Sequence, residues 1–181
     1  MCPPLVMDRV VGLLKDPVGA KPATKVLLAL CLVEGNRCAA VGARAVGEVV
    51  ELLAGAGLEG GAVERALAVL ELLCTVAEGA EEVRGHALAV PVMVEVMGRM
   101  SGRAKEYAIS VLCVILGGGE NTVEPPPEVV VRAVVMALQG DCSARGRRKG
   151  AQLLKVLKEN GPLDFTEDGR QGTSSIKFDD D

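Results

Sequence analysis

Aromatic residues are almost absent from this chain of 181 residues, which has no Trp, one Tyr and two Phe. Any core must therefore be assembled from Val, Leu, Ala and Met, which suits stacked helices better than a β-sandwich. Histidine occurs once, at His86. A Ser/His/Asp or Cys/His centre would need it, yet it stands at a helix entrance between Gly85 and Ala87. The six cysteines (Cys2, Cys31, Cys38, Cys74, Cys113 and Cys142) form no CxxC pair, and no four-ligand zinc pattern can be written from them. Cys31, Cys74 and Cys113 lie inside Leu/Val-rich runs, where a thiol acts as a small hydrophobe. This usage points to a reducing, intracellular setting rather than a disulfide framework. Aspartate is scarce before the tail, with Asp8, Asp16 and Asp141 alone, which disfavours a small-molecule enzyme. The longest apolar runs, Val26–Val33 and Ala87–Val94, have eight residues, too few to span a membrane. MCPPLVMDR lacks the basic region and apolar block of a signal peptide. A cytoplasmic location is expected, with the nucleus as a second compartment.

The charge is also unevenly placed. From Pro162 onward there are six acids and two bases, which accounts for the whole net charge of −4. Residues 1–161 carry 18 of each sign and are neutral. No overall field argues for nucleic acid. The cluster Arg145, Arg147, Arg148 and Lys149 reads as a solvated helix start.

What the chain does contain is a repeat. ERALAVLELLC (Glu64–Cys74) aligns with EYAISVLCVIL (Glu106–Leu116) at an offset of 42, with Leu70 on Leu112. The same step reaches Leu154 in one direction and Leu28 in the other. Between these helices a second element recurs: ARAVGEVVELL matches ALAVPVMVEVM, and EVVVRAVVMALQG fills the next slot. A short segment precedes it, NRCAAV in one unit and AEEVRG in the next. In the third unit NTVEPPP replaces it, since three prolines cannot sustain a helix.

A helix, a short helix and a longer helix every 42 residues is the armadillo/HEAT pattern. The expected fold is all-α: a right-handed α-solenoid of three to four repeats with a disordered acidic C-terminal tail. Residues 1–16 are assigned to the last helix of a truncated repeat, 17–160 to the repeats and 161–181 to the tail. LVMDRVVGLLK (Leu5–Lys15) carries Leu5, Val6, Val10, Val11, Leu13 and Leu14 with no helix before it. The chain is therefore expected to be the C-terminal part of a longer protein, with self-association through this uncapped helix.

Gly42 and Gly47 open an apolar helix, as a phosphate loop would. The Lys-Ser/Thr pair of such a loop is missing and no strand precedes it. They are read as marking a helix-to-helix turn, and Gly117–Gly119 as a helix stop. No catalytic residue, metal ligand or cofactor is assigned. Solenoid curvature makes an extended concave surface suited to binding a protein partner. The polar residues on the last helix of each unit are assigned to partner contact: Glu48, Glu51, Glu95, Arg99, Arg132 and Gln139. Neither a nucleic acid nor a membrane is expected as a partner.

The segments KVLLALCLVEGNRCAAVGARAVGEVVELL, ERALAVLELLCTVAEGAEEVRGHALAVPVMVEVM and KEYAISVLCVILGGG resemble the C-terminal armadillo region of plant U-box/armadillo ubiquitin ligases. The resemblance covers roughly residues 5–159. It implies a module that binds a substrate or regulator in protein ubiquitination, often in stress or defence signalling. In that family an N-terminal U-box recruits the ubiquitin-conjugating enzyme. CPPLVMDRVVGLLKDPVG shares a Cys-Pro and an Asp-Pro-Val with a U-box start, but no tyrosine turn or tryptophan helix follows. No U-box residue is carried over, so the conjugating enzyme would be reached only through a U-box this sequence does not show. The alternative is an armadillo scaffold or adaptor without ubiquitin chemistry.

Overall fold

The computed structural model describes residues 1–55, 60–100, 102–118 and 127–160. Among these residues all regular structure is helical. The order is α1 (Pro4–Gly12), α2 (Ala20–Cys31), α3 (Arg37–Gly42), α4 (Ala45–Ala54) and α5 (Gly61–Leu73). There follow α6 (Ala77–Gly85), α7 (Ala89–Arg99), α8 (Arg103–Leu116), α9 (Pro127–Gln139) and α10 (Ala144–Asn160). Two 3-10 turns, Leu13–Lys15 and Glu34–Asn36, follow α1 and precede α3. The short α3 and α6 are the two charged segments read from the sequence. Of the proline-bearing replacement for a third, 121–127, residues 121–126 lie outside the described residues, as does the tail from 161, and Pro127 is the first residue of α9.

The helices stack in two layers. α2 packs on α5, α5 on α8 and α8 on α10, at the 42-residue step. The second layer runs through α4, α7 and α9, and α4 meets α7 less extensively than α5 meets α8. One hydrophobic core threads both layers from Met7 to Leu157. Every residue from Ala66 to Leu70 on α5 is buried, and so is every residue from Ala108 to Leu112 on α8. Five consecutive residues cover more than a full turn, so these two helices are enclosed on nearly all sides by their neighbours. Leu28 and Leu154, on the outer two helices of that layer, are only partly buried. This is the all-α stacked-repeat architecture expected from the sequence.

The period is visible in the backbone itself. Gly60 and Gly102, 42 residues apart, precede α5 and α8 with nearly identical dihedrals, φ 50°, ψ −124° and φ 58°, ψ −123°. That region is open to glycine and strained for any other residue. A Cβ at either position would meet nothing within 4 Å, so a substitution costs conformation alone. Gly102→Ala should destabilise by about 1–3 kcal/mol, read as a lower urea midpoint with an unchanged slope. An unchanged midpoint would show that this turn tolerates a side chain.

Two expectations are corrected. Gly42 is the last residue of α3 and Gly47 lies inside α4, so neither makes the turn between them. Arg44 makes it, in the left-handed conformation at φ 63°. Gly47 has a different use: its N–H donates to Glu82 Oε1 at 3.3 Å, so a carboxylate from α6 caps the N-terminus of α4. The apolar residues of the first helix are also not uniformly uncovered. Val10, Val11 and Leu14 join Met7 in the core, whereas Leu5 is 78% exposed and Val6 and Leu13 are about half so. The start of the chain is held by Asn36, whose Oδ1 accepts from the Cys2 N–H (2.7 Å) while its Nδ2 donates to the Leu30 carbonyl (2.9 Å).

Candidate partner-binding surfaces

A stacked-helix surface binds through the side chains its helices leave in solvent, and two rows qualify. The first is the one chosen from sequence, on α4, α7 and α9. Glu48 accepts an ion pair from Lys15 at 2.9 Å and is itself only 21% exposed. Glu51 lies 3.7 Å from His86 Nε2. Glu95 and Arg99 pair with each other at 2.6 Å, one turn apart on α7. Arg132 and Gln139 are exposed on α9. The six thus form three local groups, in which Glu48, Glu95 and Arg99 already have a charged neighbour and Glu51 lies beside the His86 ring.

His86 is explained by the same region. It ends α6 in an extended conformation, and its Nδ1 accepts from the Leu88 N–H at 3.3 Å, closing the turn into α7. Pro91 sits in the first turn of α7, where its missing N–H costs nothing. Among the described residues, no group of three or more His, Cys, Asp or Glu side chains is placed to hold a metal ion. Burial pushes the Cys31 thiol up to about 11 and the Cys74 thiol up to about 12. Cys38 is exposed on α3. Alkylation of the native protein near pH 8 should label Cys38 and spare Cys31 and Cys74 until urea is added, checked by peptide mass spectrometry. Equal labelling in both states would contradict this burial.

The second row lies on α5, α8 and α10, and its central feature is a charged network that the sequence did not disclose. Arg145, at the start of α10, donates to Glu106 Oε1 on α8 (2.7 Å) and to Glu71 Oε1 on α5 (2.9 Å). One turn later Lys149 donates to the same Glu71 oxygen (2.8 Å) and to Ser110 Oγ (2.6 Å). Ser143, which caps α10 by accepting from the Gly146 N–H at 2.9 Å, donates its hydroxyl to the other oxygen of Glu106. Burial alone would raise the pKa of Glu106. The hydrogen bonds from Ser143 and Arg145 and the charges of Arg145 and Lys149 outweigh it and hold the carboxyl below its ordinary value. Half of the basic cluster read as a solvated helix start is therefore engaged across helices. Arg147 and Arg148 are exposed. The one signal in the sequence was spacing: Arg145 and Lys149, four apart, share a face of one helix. Their partners lie 39 to 78 residues away and could not be read locally.

With this geometry in hand, the chain was compared with known proteins. A family model described as the plant U-box protein ARM repeat region matches residues 4–167. The chain belongs to this family. U-box domain-containing protein 26 of Arabidopsis thaliana is 36% identical to the armadillo region over 166 residues, covering 89% of this chain and 39% of that relative. U-box domain-containing protein 25 is 35% identical over 162 residues, and the E3 ubiquitin-protein ligase PUB23 is 32% identical over 164, both from the same plant. The armadillo region thus spans about two fifths of the length of these relatives. No solved structure matches it. No helix among its described residues is long and apolar enough to cross a membrane.

Proposed function

We propose that this armadillo region is the partner-binding module of a U-box-type ubiquitin ligase. It holds a protein substrate or regulator while ubiquitin is transferred from a conjugating enzyme recruited by a U-box. The observation that carries this reading is the family match over residues 4–167, on a stack of helices that leaves charged side chains of both layers in solvent. The name of a ligase relative supports the ubiquitin context. The module's contribution to catalysis is proximity: it converts a bimolecular encounter into transfer within one complex. Contact through α4, α7 and α9 falls first to Arg132 and Gln139, with the Glu95–Arg99 pair beside them and Glu48 and Glu51 farther along. Cytoplasmic or nuclear residence follows from the same proposal.

The test is direct. Given ubiquitin, activating enzyme and conjugating enzyme, the 181-residue chain should not ubiquitinate itself. Robust self-ubiquitination by the chain alone would overturn the division of labour. A second contact belongs to the same proposal: α1 leaves Leu5 and Val6 in solvent beside Leu13, a patch suited to a second copy of the chain. Light scattering should show mass rising with concentration, and Leu5→Glu should abolish the rise. A monomer at all concentrations would remove self-association from the proposal.

A further inference from the structure

The two helical layers differ in charge, and α10 carries most of the excess in the basic one. Helices α2, α5, α8 and α10 carry eleven Lys and Arg against four Glu, a net charge of +7. Helices α4, α7 and α9 carry two Arg against four Glu, a net charge of −2. Three of the four carboxylates in the basic layer are already bonded: Glu71 by Arg145 and Lys149, Glu106 by Arg145, and Glu159 by Lys155. Exposed cations remain on three of its helices, among them Lys25, Arg103 and Arg148. This layer is also the more closely packed of the two where α5–α8 is compared with α4–α7.

From this arrangement we infer that the α2/α5/α8/α10 layer docks an extended acidic segment of a protein partner, with carboxylates spaced about one per repeat. The inference rests on the partner-binding reading above and names the chemistry of the partner. Register follows from two lengths. Packed helices lie about 8–10 Å apart, and an extended chain advances about 3.3 Å per residue. An acidic residue every third position therefore advances by about one helix of this layer per carboxylate, and exposed cations are available on α2, α8 and α10 in Lys25, Arg103 and Arg148. A guanidinium receives a carboxylate through paired, charge-assisted hydrogen bonds, which supplies geometry as well as charge. Nucleic acid is the less suitable polyanion, since Tyr107 is the one aromatic side chain on these helices and base stacking needs several.

The test uses the full chain and a labelled twelve-residue peptide with Glu at every third position in a Gly/Ser/Ala background. Fluorescence anisotropy at low and moderate salt should show binding that weakens with salt, and at least tenfold weaker binding of the same peptide with Gln for Glu. The double change Arg103→Glu/Arg148→Glu should weaken binding at least tenfold. Arg44→Glu, at the exposed turn into α4 and outside both rows, should change it less than twofold, with circular dichroism confirming that each variant is folded. If Arg132→Glu weakens binding and the double change does not, partners dock on α4/α7/α9, which overturns the inference and leaves the module reading intact. Absence of binding, or equal binding of the Gln peptide, rejects the acidic partner alone. Tighter binding of a twelve-nucleotide single-stranded RNA that the double change abolishes would reassign the layer to nucleic acid. Tighter peptide binding when Asp179, Asp180 and Asp181 are changed to Asn would assign it to the chain's own acids. Either result overturns the proposal.

Discussion

Gly79→Ala should lower the thermal midpoint by roughly 6–12 °C. The first turn of α6 lies so close to the end of α5 that a Cβ at Gly79 would collide with the Leu73 carbonyl oxygen and stand 3.1 Å from Val41 Cγ2 of α3. The obstacle is backbone on one side and a β-branched side chain on the other, and neither can swing away. Overpacking of this kind costs about 1–3 kcal/mol. The upper end applies here, because relief requires α6 to move as a unit off α5. A loss of about 3 kcal/mol in a domain of this size corresponds to that midpoint shift. Gly98→Ala is the matched control. It lies on the exposed side of α7, where a Cβ meets nothing within 4 Å. There the better helix propensity of Ala should stabilise by up to about 1 kcal/mol. The same substitution should thus have opposite signs at two helical glycines, and calorimetry showing the same sign at both would refute the packing explanation.

Glu106→Gln should destabilise by about 2 kcal/mol at neutral pH, the scale of lost hydrogen bonds to a charged group. The side chain is 11% exposed and joins Ser143, Arg145 and, through them, the start of α10. The amide can still accept one bond but no longer balances Arg145, which is half exposed and regains water, so the larger cost of an orphaned buried charge does not apply. The pH dependence separates charge from shape. Glu106 has a folded pKa below its ordinary value near 4.5. Its contribution is therefore present above that ordinary value and is lost as pH falls through the folded pKa. The stability gap between the native chain and the Gln variant should be widest near neutrality and close in acid. A gap that stays constant from pH 7 to pH 3 would show that Glu106 acts through packing alone.

The fold was legible because it is periodic. Leu28, Leu70, Leu112 and Leu154 mark one position on four stacked helices, and a fixed step survives any error at individual boundaries. The second element was legible for the same reason. The turn into α4 was not, since it depends on Arg44 adopting a left-handed backbone that its residue type does not announce. The charged network was missed for a different physical reason. Sequence patterns report neighbours three or four residues apart on one helix, whereas Glu71, Glu106 and Arg145 meet only after three helices have stacked. Cys31 and Cys74 in apolar runs and His86 at a helix end each have a packing role near at hand: the thiols lie in or against the core, and the imidazole closes the turn into α7.

The bond from Arg145 to Glu71 joins residues 74 apart and skips α8, the helix between them in the stack. A solenoid whose repeats touch only their neighbours melts like a zipper, with each end free to open while the middle stays shut. A strap from the last helix to one two places back removes that freedom: α10 cannot peel from α8 without also breaking its hold on α5. Hydrogen exchange should accordingly find the first turns of α10 opening together with the middle of the stack, a single cooperative block where a frayed end would otherwise stand.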